Sequence, residues 1–429
     1  MSVESQQAFA VEGPYLRRKA NPMTATWFPF PTTTDFGPTN LPFGVYSTGG
    51  TTPRAGMAVG DQVLDLHGAA RMGLFDDLSF HVDSLTLPVL NTFIDQGKRV
   101  SNGIRQIIQQ QLHNEDSALR QRPRLFIPQK KTQLHLPVRV GDYTDFYSSE
   151  QHATNVGQLF RDPENALLPN WKHLPVAYHG RASSVVVSGT PIRRPRGQTL
   201  PRGATQPVFG PSRALDFELE VAAIIGQENS LGQPVSTAEA ADYVFGLVLF
   251  NDWSARDLQR WEYVPLGPFL GKNFASSMSP WVVPPDALAP FRVAGPVQQP
   301  PVLPYLQYTE PGHYDIALSA TLTPSGGPPT TVCRTNYRNL YWNVCQQIAH
   351  HTVNGCNLRT GDVLASGTIS GTEPGSFGSL LESSRGGREP LSLADGRTRT
   401  YLENGDTVTL AGRAAPGVGF GEVSGQIIE

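Results

Sequence analysis

The sequence predicts a mainly β protein that is divided into two domains. The chain has 42 glycines and 37 prolines, residues that are typical of the turns between short strands. Helical periodicity is rare in its longer segments. Its 429 residues exceed the size of one usual core, since a domain averages about 150 residues. We expect a flexible lead-in, a small N-terminal domain and a larger second domain, over residues 1–25, 26–133 and 134–429.

Local patterns predict the individual elements. Alternating apolar residues favour strands at Arg54–Val59 and Gln62–Leu66, joined by Gly60-Asp61, a dipeptide typical of hairpin turns. Apolar residues at helical spacing predict one helix over Asn102–His113 and another over Tyr337–His351. The pattern therefore places strands before a helix in the first domain and one clear helix in the second.

The segment Leu215–Ala222 is the most informative strand candidate. Its side chains alternate between faces, so Asp216, Glu218 and Glu220 share one face and apolar residues share the other. Adjacent carboxylates repel each other unless they are solvated or hold a cation. Both a solvated outer face and a cation site therefore fit the pattern. The apolar run Tyr243–Phe250 that follows is predicted to be a buried strand.

The stretch Gly141–Gly157 brings acid, base and turn residues closest together. Ser148–Gln151 has the spacing of a capping box and Gly157 offers a stop, so a helix of two turns is predicted. His152 falls early in it, where the positive end of the helix dipole favours a neutral imidazole that can act as a general base. Asp145, upstream, can direct a carboxylate at a cation. A turn with a core histidine explains the same residues.

Further polar groups are expected to line a site. Arg256 and Gln259 lie three residues apart, on one face of a predicted short helix that follows a buried strand. Glycines around Lys272 let the backbone approach a ligand, and the hydroxyl cluster at 366–370 is suited to an anion. Glu382 ends an apolar stretch, where a buried carboxylate needs a partner such as a histidine.

Composition excludes several classes of function. The net charge is −3 and the sequence pI is about 6.4, without the basic stripe that nucleic-acid binding requires. The longest apolar run is far shorter than the roughly 18 residues of a membrane span, and the first residues lack a signal peptide's apolar core. The three cysteines show no CxxC spacing. We expect a cytoplasmic protein with small-molecule partners, without nucleic-acid or membrane partners.

Taken in order, these segments resemble the fumarylacetoacetate hydrolase family from about Trp27 to the C-terminus. The resemblance implies a small SH3-like N-terminal barrel, a large mixed β-sandwich roll and a homodimer. It also implies metal-dependent hydrolysis of a carbon–carbon bond of 4-fumarylacetoacetate, the last step of tyrosine and phenylalanine breakdown. The motifs that carry it are Gly141–Ser149, His152–Gly157, Tyr178–Ser184, Asp216–Glu220, Asn251–Asp257, Trp261–Lys272 and Ala365–Gly371.

The resemblance also implies a role for individual residues. Its all-oxygen ligand set suits Ca²⁺ or Mg²⁺, and Asp216 is not among the family's ligands. Near the family's second magnesium this chain has Ala275-Ser276 where Gly-Thr is expected, and the Ser276 hydroxyl can supply an oxygen there. The implied metal ligands are Asp145, Glu218, Glu220, Asp252 and Ser276; the catalytic groups are His152, Glu382, Arg256 and Lys272; the substrate contacts are Tyr147, Arg161, Tyr178, Gln259, Tyr263 and Thr368.

Two alternatives remain open from the sequence. One is a related acylpyruvate hydrolase, decarboxylase or isomerase of the same superfamily, although such relatives usually lack the N-terminal domain. The other is a non-catalytic β-sandwich that uses the same acids to bind calcium or a carbohydrate. Such a binder needs the acids but not His152 or Glu382, so substitution of the histidine distinguishes the two.

Overall fold

The N-terminal part is organised around one antiparallel sheet. The computed structural model describes residues 26–429, so the predicted lead-in of residues 1–25 lies outside the described residues. The sheet has five strands and is curled, which confirms the predicted β-rich N-terminal unit. Its spatial order is Phe126–Pro128, Gln62–Asp65, Arg54–Val59, Phe43–Ser47 and Gln133–His135.

A mixed sheet of seven strands forms the centre of the chain. Two of its pairings are parallel, between Ser276–Met278 and Val185–Val187 and between Val363–Ala365 and Tyr143–Phe146. The full order is Ala177–His179, Tyr143–Phe146, Val363–Ala365, Leu219–Ile225, Val244–Asp252, Ser276–Met278 and Val185–Val187.

A second, five-stranded sheet packs against this central sheet. Its order is Thr330–Asn336, Ala317–Thr323, Thr407–Ala415, Val418–Ile428 and Ile192–Arg193. Short two-stranded pairs complete the β structure: Arg196–Thr199 with Val208–Pro211, Leu215–Asp216 with Ser254–Ala255, Arg292–Val293 with His313–Tyr314, and Leu391–Ser392 with Thr398–Arg399. The mainly β, mixed-sheet class that the sequence predicts is confirmed.

The α-helices are few and mostly short. No helix within residues 26–429 is long and apolar enough to cross a bilayer. The α-helices are Leu66–Arg71, Asn91–Ile94, Lys98–His113, Glu150–Phe160, Ala240–Tyr243, Arg256–Glu262, Pro285–Leu288, Val344–Thr352 and Leu380–Ser383.

The central sheet is buried on both faces, which explains its continuous apolar strands. Leu219 and Val221 contact the core that is shared with the sheet containing Ala317–Thr323 and Thr407–Ala415. Ala222 and Ile224 point the other way, into the core that is shared with the N-terminal sheet. Because faces alternate along a strand, Glu220 lies on the same face as Ala222 and Ile224, which is the face towards the N-terminal sheet.

Several predicted elements differ from the structure in their bounds or continuity. The helix predicted over Tyr337–His351 is instead a 3-10 turn, Tyr337–Asn339, followed by the α-helix Val344–Thr352. Asn343 starts that helix with a capping box, a stronger start signal than the apolar spacing upstream. The strand predicted over Leu215–Ala222 is interrupted, because the amide of Glu218 leaves the ladder and donates to the Asn251 side chain at 3.1 Å.

Candidate active site

Four carboxylates meet at one end of the central sheet. Asp145 is the last residue but one of the strand Tyr143–Phe146, Glu220 lies at the start of Leu219–Ile225, and Asp252 ends Val244–Asp252. Glu218 comes just before its strand and bridges to the backbone of Ser379. One oxygen from each acid lies within 4.8 Å of the others. These acids are at most 4% exposed, so the solvated outer face that the sequence allowed is wrong.

Two carboxylate oxygens of the cluster have no hydrogen-bond partner in the part of the chain that the structure describes. Asp145 Oδ1 and Glu220 Oε1 are buried without a hydrogen bond among residues 26–429. Burial, together with Asp252, raises the pKa of Asp145 well above its usual range. Burial, together with Asp145, has the same effect on the pKa of Glu220. Buried carboxylates with free oxygens are the donors that a hard divalent cation requires.

Two basic side chains flank the cluster. Lys272 Nζ donates to Glu218 and, at 2.7 Å, to Asp252 Oδ2. Arg256 Nη2 lies 2.7 Å from Glu218 Oε1. Although burial alone would raise the pKa of Glu218, Lys272 and Arg256 lower it below the ordinary range. The site therefore combines an ionised carboxylate with two fixed positive charges.

His152 and Glu382 form a buried pair beside the cluster. His152 Nδ1 lies 2.7 Å from Glu382 Oε2, although 230 residues separate them. Burial alone would raise the pKa of Glu382, but His152 and hydrogen bonds from neighbouring side chains lower it. The pairing commits Nδ1 and leaves Nε2 as the ring nitrogen that can accept a proton. The histidine partner that the sequence predicted for Glu382 is present.

The helix that carries His152 begins and ends differently from its prediction. Its N-cap is Ser149, which accepts from the His152 amide at 3.2 Å, while Ser148 packs elsewhere and accepts from Gln347 at 2.8 Å. The helix runs over Glu150–Phe160, straight through Gly157. An added Cβ at Gly157 would meet the Ala166 carbonyl oxygen at 2.0 Å, so this glycine permits close packing and does not stop the helix.

Several groups that orient the site were missed by sequence reasoning. Asn155 donates to Glu382 Oε1 at 2.9 Å, and Ser370 and Ser379 donate to Oε2 at 3.0 and 2.8 Å. Asn155 could have been found, since it lies one helical turn after His152. Ser379 could also have been found, since it lies three residues before Glu382, with the Ser-x-x-Glu spacing of a capping box, and is the N-cap of that helix. Ser370 lies 12 residues before Glu382, and the local sequence carries no signal for its contact.

The residues that were predicted to contact substrate divide into two groups. Tyr178 donates to Asp252 at 2.7 Å, Tyr147 lies edge-on to His152 with ring centroids 5.2 Å apart, and Gln259 accepts from Arg256 at 3.3 Å. Thr368 is buried, and its hydroxyl has no hydrogen-bond partner within residues 26–429. Two others lie outside this contact network: the exposed Arg161 donates to the Ala166 carbonyl, and Tyr263 is 49% exposed.

The remaining predicted ligand, Ser276, is buried at the edge of the acidic cluster. Its hydroxyl donates to Asp252 Oδ1 at 2.9 Å, and it lies opposite Asp252 in the neighbouring strand. The structure thus brings the five predicted metal-binding residues and the four predicted catalytic residues into one continuous region. Their roles stay predictions, whereas their proximity is observed.

Comparison with protein-family models gives two matches that together span most of the chain. Residues 142–428 match the model described as fumarylacetoacetate (FAA) hydrolase C-terminal. Residues 39–137 match the model described as fumarylacetoacetase N-terminal. The two matched segments follow each other in the order of the two predicted domains.

Curated relatives and a solved structure agree with these matches. The chain is 51% identical to a fumarylacetoacetase of Homo sapiens over 412 residues, which is 94% of this chain and 98% of that protein. It is 51% identical to one of Arabidopsis thaliana, over 91% of this chain and 94% of that protein. A solved structure of fumarylacetoacetate hydrolase from psychrophilic Exiguobacterium antarcticum has a TM-score of 0.52 at 16% identity. The match covers 90% of this chain and 99% of that one, which shows a shared fold.

Proposed function

This chain belongs to the fumarylacetoacetate hydrolase family, and from that premise we propose that it hydrolyses 4-fumarylacetoacetate to fumarate and acetoacetate in tyrosine and phenylalanine catabolism. The observation that carries the proposal is the buried His152–Glu382 pair beside four clustered carboxylates. A β-diketone needs both a base for water and positive charge near its oxygens. Both are present within one site.

The acidic cluster fits a divalent cation. Asp145, Glu218, Glu220 and Asp252 would hold it, with the Ser276 hydroxyl close to Asp252. Oxygen-only donors favour Ca²⁺ or Mg²⁺ over zinc. The fit is supported by one oxygen each of Asp145 and Glu220, which accepts no hydrogen bond from the described residues. When bound, the cation supplies positive charge that neutralises negative charge developing on the diketone oxygens.

His152 is the proposed general base. Glu382 holds Nδ1 and stabilises the positive charge that the ring acquires, so Nε2 can take a proton from water. The water oxygen then forms a bond to the ketone carbon next to the fumaryl double bond. Negative charge moves to that carbonyl oxygen, close to the guanidinium of Arg256 and the ammonium of Lys272.

Collapse of the tetrahedral adduct breaks the bond between that carbon and the neighbouring methylene. The electron pair leaves with the acetoacetate fragment as an enolate, which accepts the proton from His152. One water is consumed and the products are fumarate and acetoacetate. Glu218 pairs with both Arg256 and Lys272, and Asp252 pairs with Lys272. The two positive charges are therefore in place before the reaction, which lowers the cost of reorganisation.

Tyr147, Tyr178 and Thr368 are proposed to contact the substrate at this centre. Burial raises the pKa of the Tyr147 and Tyr178 phenols, which keeps both as hydrogen-bond donors. The buried Thr368 hydroxyl has no partner among residues 26–429 and can donate to a substrate oxygen. The exposed Arg161 and Tyr263 are proposed to bind at the rim, where a guanidinium suits a substrate carboxylate.

We further propose a homodimer in the cytoplasm. The stretch Tyr263–Leu270 is strongly exposed and apolar, with Leu266 97% and Val264 67% exposed, and monomers rarely present such a patch. The three cysteines are free thiols, which suits a reducing compartment. Light scattering of the wild type and of Leu266→Glu tests the dimer: a dimer that the variant weakens supports it, and a monomeric wild type contradicts it.

The decisive experiment follows the loss of fumarylacetoacetate absorbance for the wild type, His152→Ala and a chelated sample. We expect turnover that chelation abolishes and that His152→Ala lowers at least about 10³-fold. Thermal melting with and without Ca²⁺ is the control, because the variant retains the four acids. An inactive wild type with metal supplied contradicts the proposal, and metal binding without turnover indicates the calcium-binding β-sandwich instead.

A further inference from the structure

Asp216 is a wholly buried carboxylate that the proposed chemistry does not yet use. It is 0% exposed and accepts four hydrogen bonds. Oδ1 accepts from the amides of Phe217 and Leu380 at 2.8 and 2.7 Å. Oδ2 accepts from the amide of Leu381 at 2.9 Å and from Arg256 Nε at 2.9 Å. One side chain therefore joins three backbone amides to one guanidinium.

These partners connect the two halves of the site. Leu380 and Leu381 are the first residues of the short helix that carries Glu382, and their amides would otherwise lack partners at the helix start. Arg256 begins a different helix, Arg256–Glu262. Asp216 thus attaches the arginine directly to the backbone that positions the His152–Glu382 pair.

The guanidinium of Arg256 is held on each of its edges. Nε donates to Asp216, Nη1 donates to Gln259 at 3.3 Å, and Nη2 lies 2.7 Å from Glu218. Glu218 also belongs to the acidic cluster, whereas Asp216 is not part of it. Without the charge of Asp216, the attraction of Glu218 is the main electrostatic force left on Arg256, and the guanidinium would turn towards the acidic cluster.

We propose that Asp216 is a positioning residue for the carbon–carbon bond hydrolysis, which keeps the guanidinium of Arg256 at a set place relative to the His152–Glu382 pair. The inference rests on the proposed function. Displacement of a charged group by about 1 Å costs roughly 10- to 100-fold in rate when that group stabilises the transition state. The loss should fall on kcat, because Arg256 acts on charge that develops only during the reaction.

A matched pair elsewhere in the chain supplies the control. Asp406 is also 0% exposed, accepts from Arg399 Nε at 2.8 Å and Nη2 at 3.0 Å, and accepts from the Glu403 amide at 2.8 Å. Asp216→Asn and Asp406→Asn therefore remove the same kind of buried charge. We expect Asp216→Asn to lower kcat 10- to 100-fold with KM changed less than about threefold, and Asp406→Asn to keep kcat within about twofold. Equal kcat values for the two variants would overturn the inference.

A double variant tests whether Asp216 acts through Arg256. Asp216→Asn is combined with Arg256→Gln, which also avoids an unpaired buried arginine if the single variant does not fold. We expect the double variant to match Arg256→Gln within about threefold in kcat, and a further tenfold loss would overturn the inference. An inactive wild type overturns the proposed function itself, whereas an active wild type with additive losses overturns only the role of Asp216.

Discussion

Substitution of Glu220 by glutamine should raise the stability of the metal-free chain and weaken the stabilisation that a divalent cation gives. In the metal-free chain, two ionised carboxylates with oxygens no more than 4.8 Å apart repel by at least roughly 3 kcal/mol at an effective dielectric constant of about 20. In the wild type, this cost is either the repulsion between the two ionised carboxylates or the free energy needed to keep one of them protonated. Glu220→Gln removes this free-energy cost. It keeps a side-chain oxygen that can accept from the Gly367 amide, as Glu220 Oε2 does at 3.1 Å.

The melting temperature converts this cost into an observable shift. With about 2.1 cal/mol/K of unfolding entropy per residue over roughly 400 residues, 3 kcal/mol corresponds to about 3 to 4 °C. In a chelator, Glu220→Gln should therefore melt up to about 4 °C above the wild type. At 1,000 times the dissociation constant, Ca²⁺ adds about 4 kcal/mol to the wild type, or about 5 °C, and the order reverses.

Differential scanning calorimetry in chelator, and then in increasing CaCl₂ or MgCl₂, measures both shifts. Asp406→Asn is the control, because it loses a buried carboxylate that is not one of the four clustered acids and should retain the full response to the cation. The reasoning is wrong if Glu220→Gln responds to Ca²⁺ as strongly as the wild type does. It is equally wrong if the variant melts below the wild type in chelator.

Three further changes have expected outcomes. Glu382→Gln keeps the shape but not the charge that supports His152, so kcat should fall roughly 10²- to 10⁴-fold in the absorbance assay, and an unchanged kcat would contradict the pairing. Burial lowers the pKa of His313 from 6.5 to about 4. Between these two pH values the unfolded chain binds a proton that the folded chain does not. The free energy of unfolding is therefore unaffected by His313 above pH 6.5 and falls by up to roughly 3 kcal/mol towards pH 4. The urea midpoint of the wild type should fall as the pH is lowered from 6.5 to 4, and that of His313→Gln should fall less. An equal fall for the two chains would refute the argument. Gly157→Ala should destabilise by about 1 to 3 kcal/mol in urea unfolding, because its Cβ would meet the Ala166 carbonyl at 2.0 Å, whereas helix propensity alone predicts a gain.

Much of the local structure could be predicted from the sequence. The strand Arg54–Val59 has its predicted bounds, and the turn at Gly60-Asp61 lies between two paired strands. These features depend on residues that are adjacent in the chain, so turn chemistry and side-chain alternation are sufficient to place them. The helix containing His152 was also predicted, although its cap and its end were not.

The fate of the three carboxylates that were predicted to share one strand shows what local pattern could not decide. Asp216, Glu218 and Glu220 alternate alike in the sequence, yet Asp216 binds backbone amides and Arg256 while Glu218 and Glu220 enter the acidic cluster. The difference arises because helices from distant parts of the chain cover one end of the strand and leave the other end facing Asp145.

By itself, the sequence determined the β-rich class, the local turns and the residue types that metal-assisted hydrolysis needs, and it carried the motifs of the family. Only the tertiary structure decided which acids meet, that His152 and Glu382 touch across 230 residues, and that Gly157 admits the Ala166 carbonyl and does not end a helix. The physical reason is that burial and contact between distant segments set the charge state and partners of each group, and these contacts form only when the sheets close around the site.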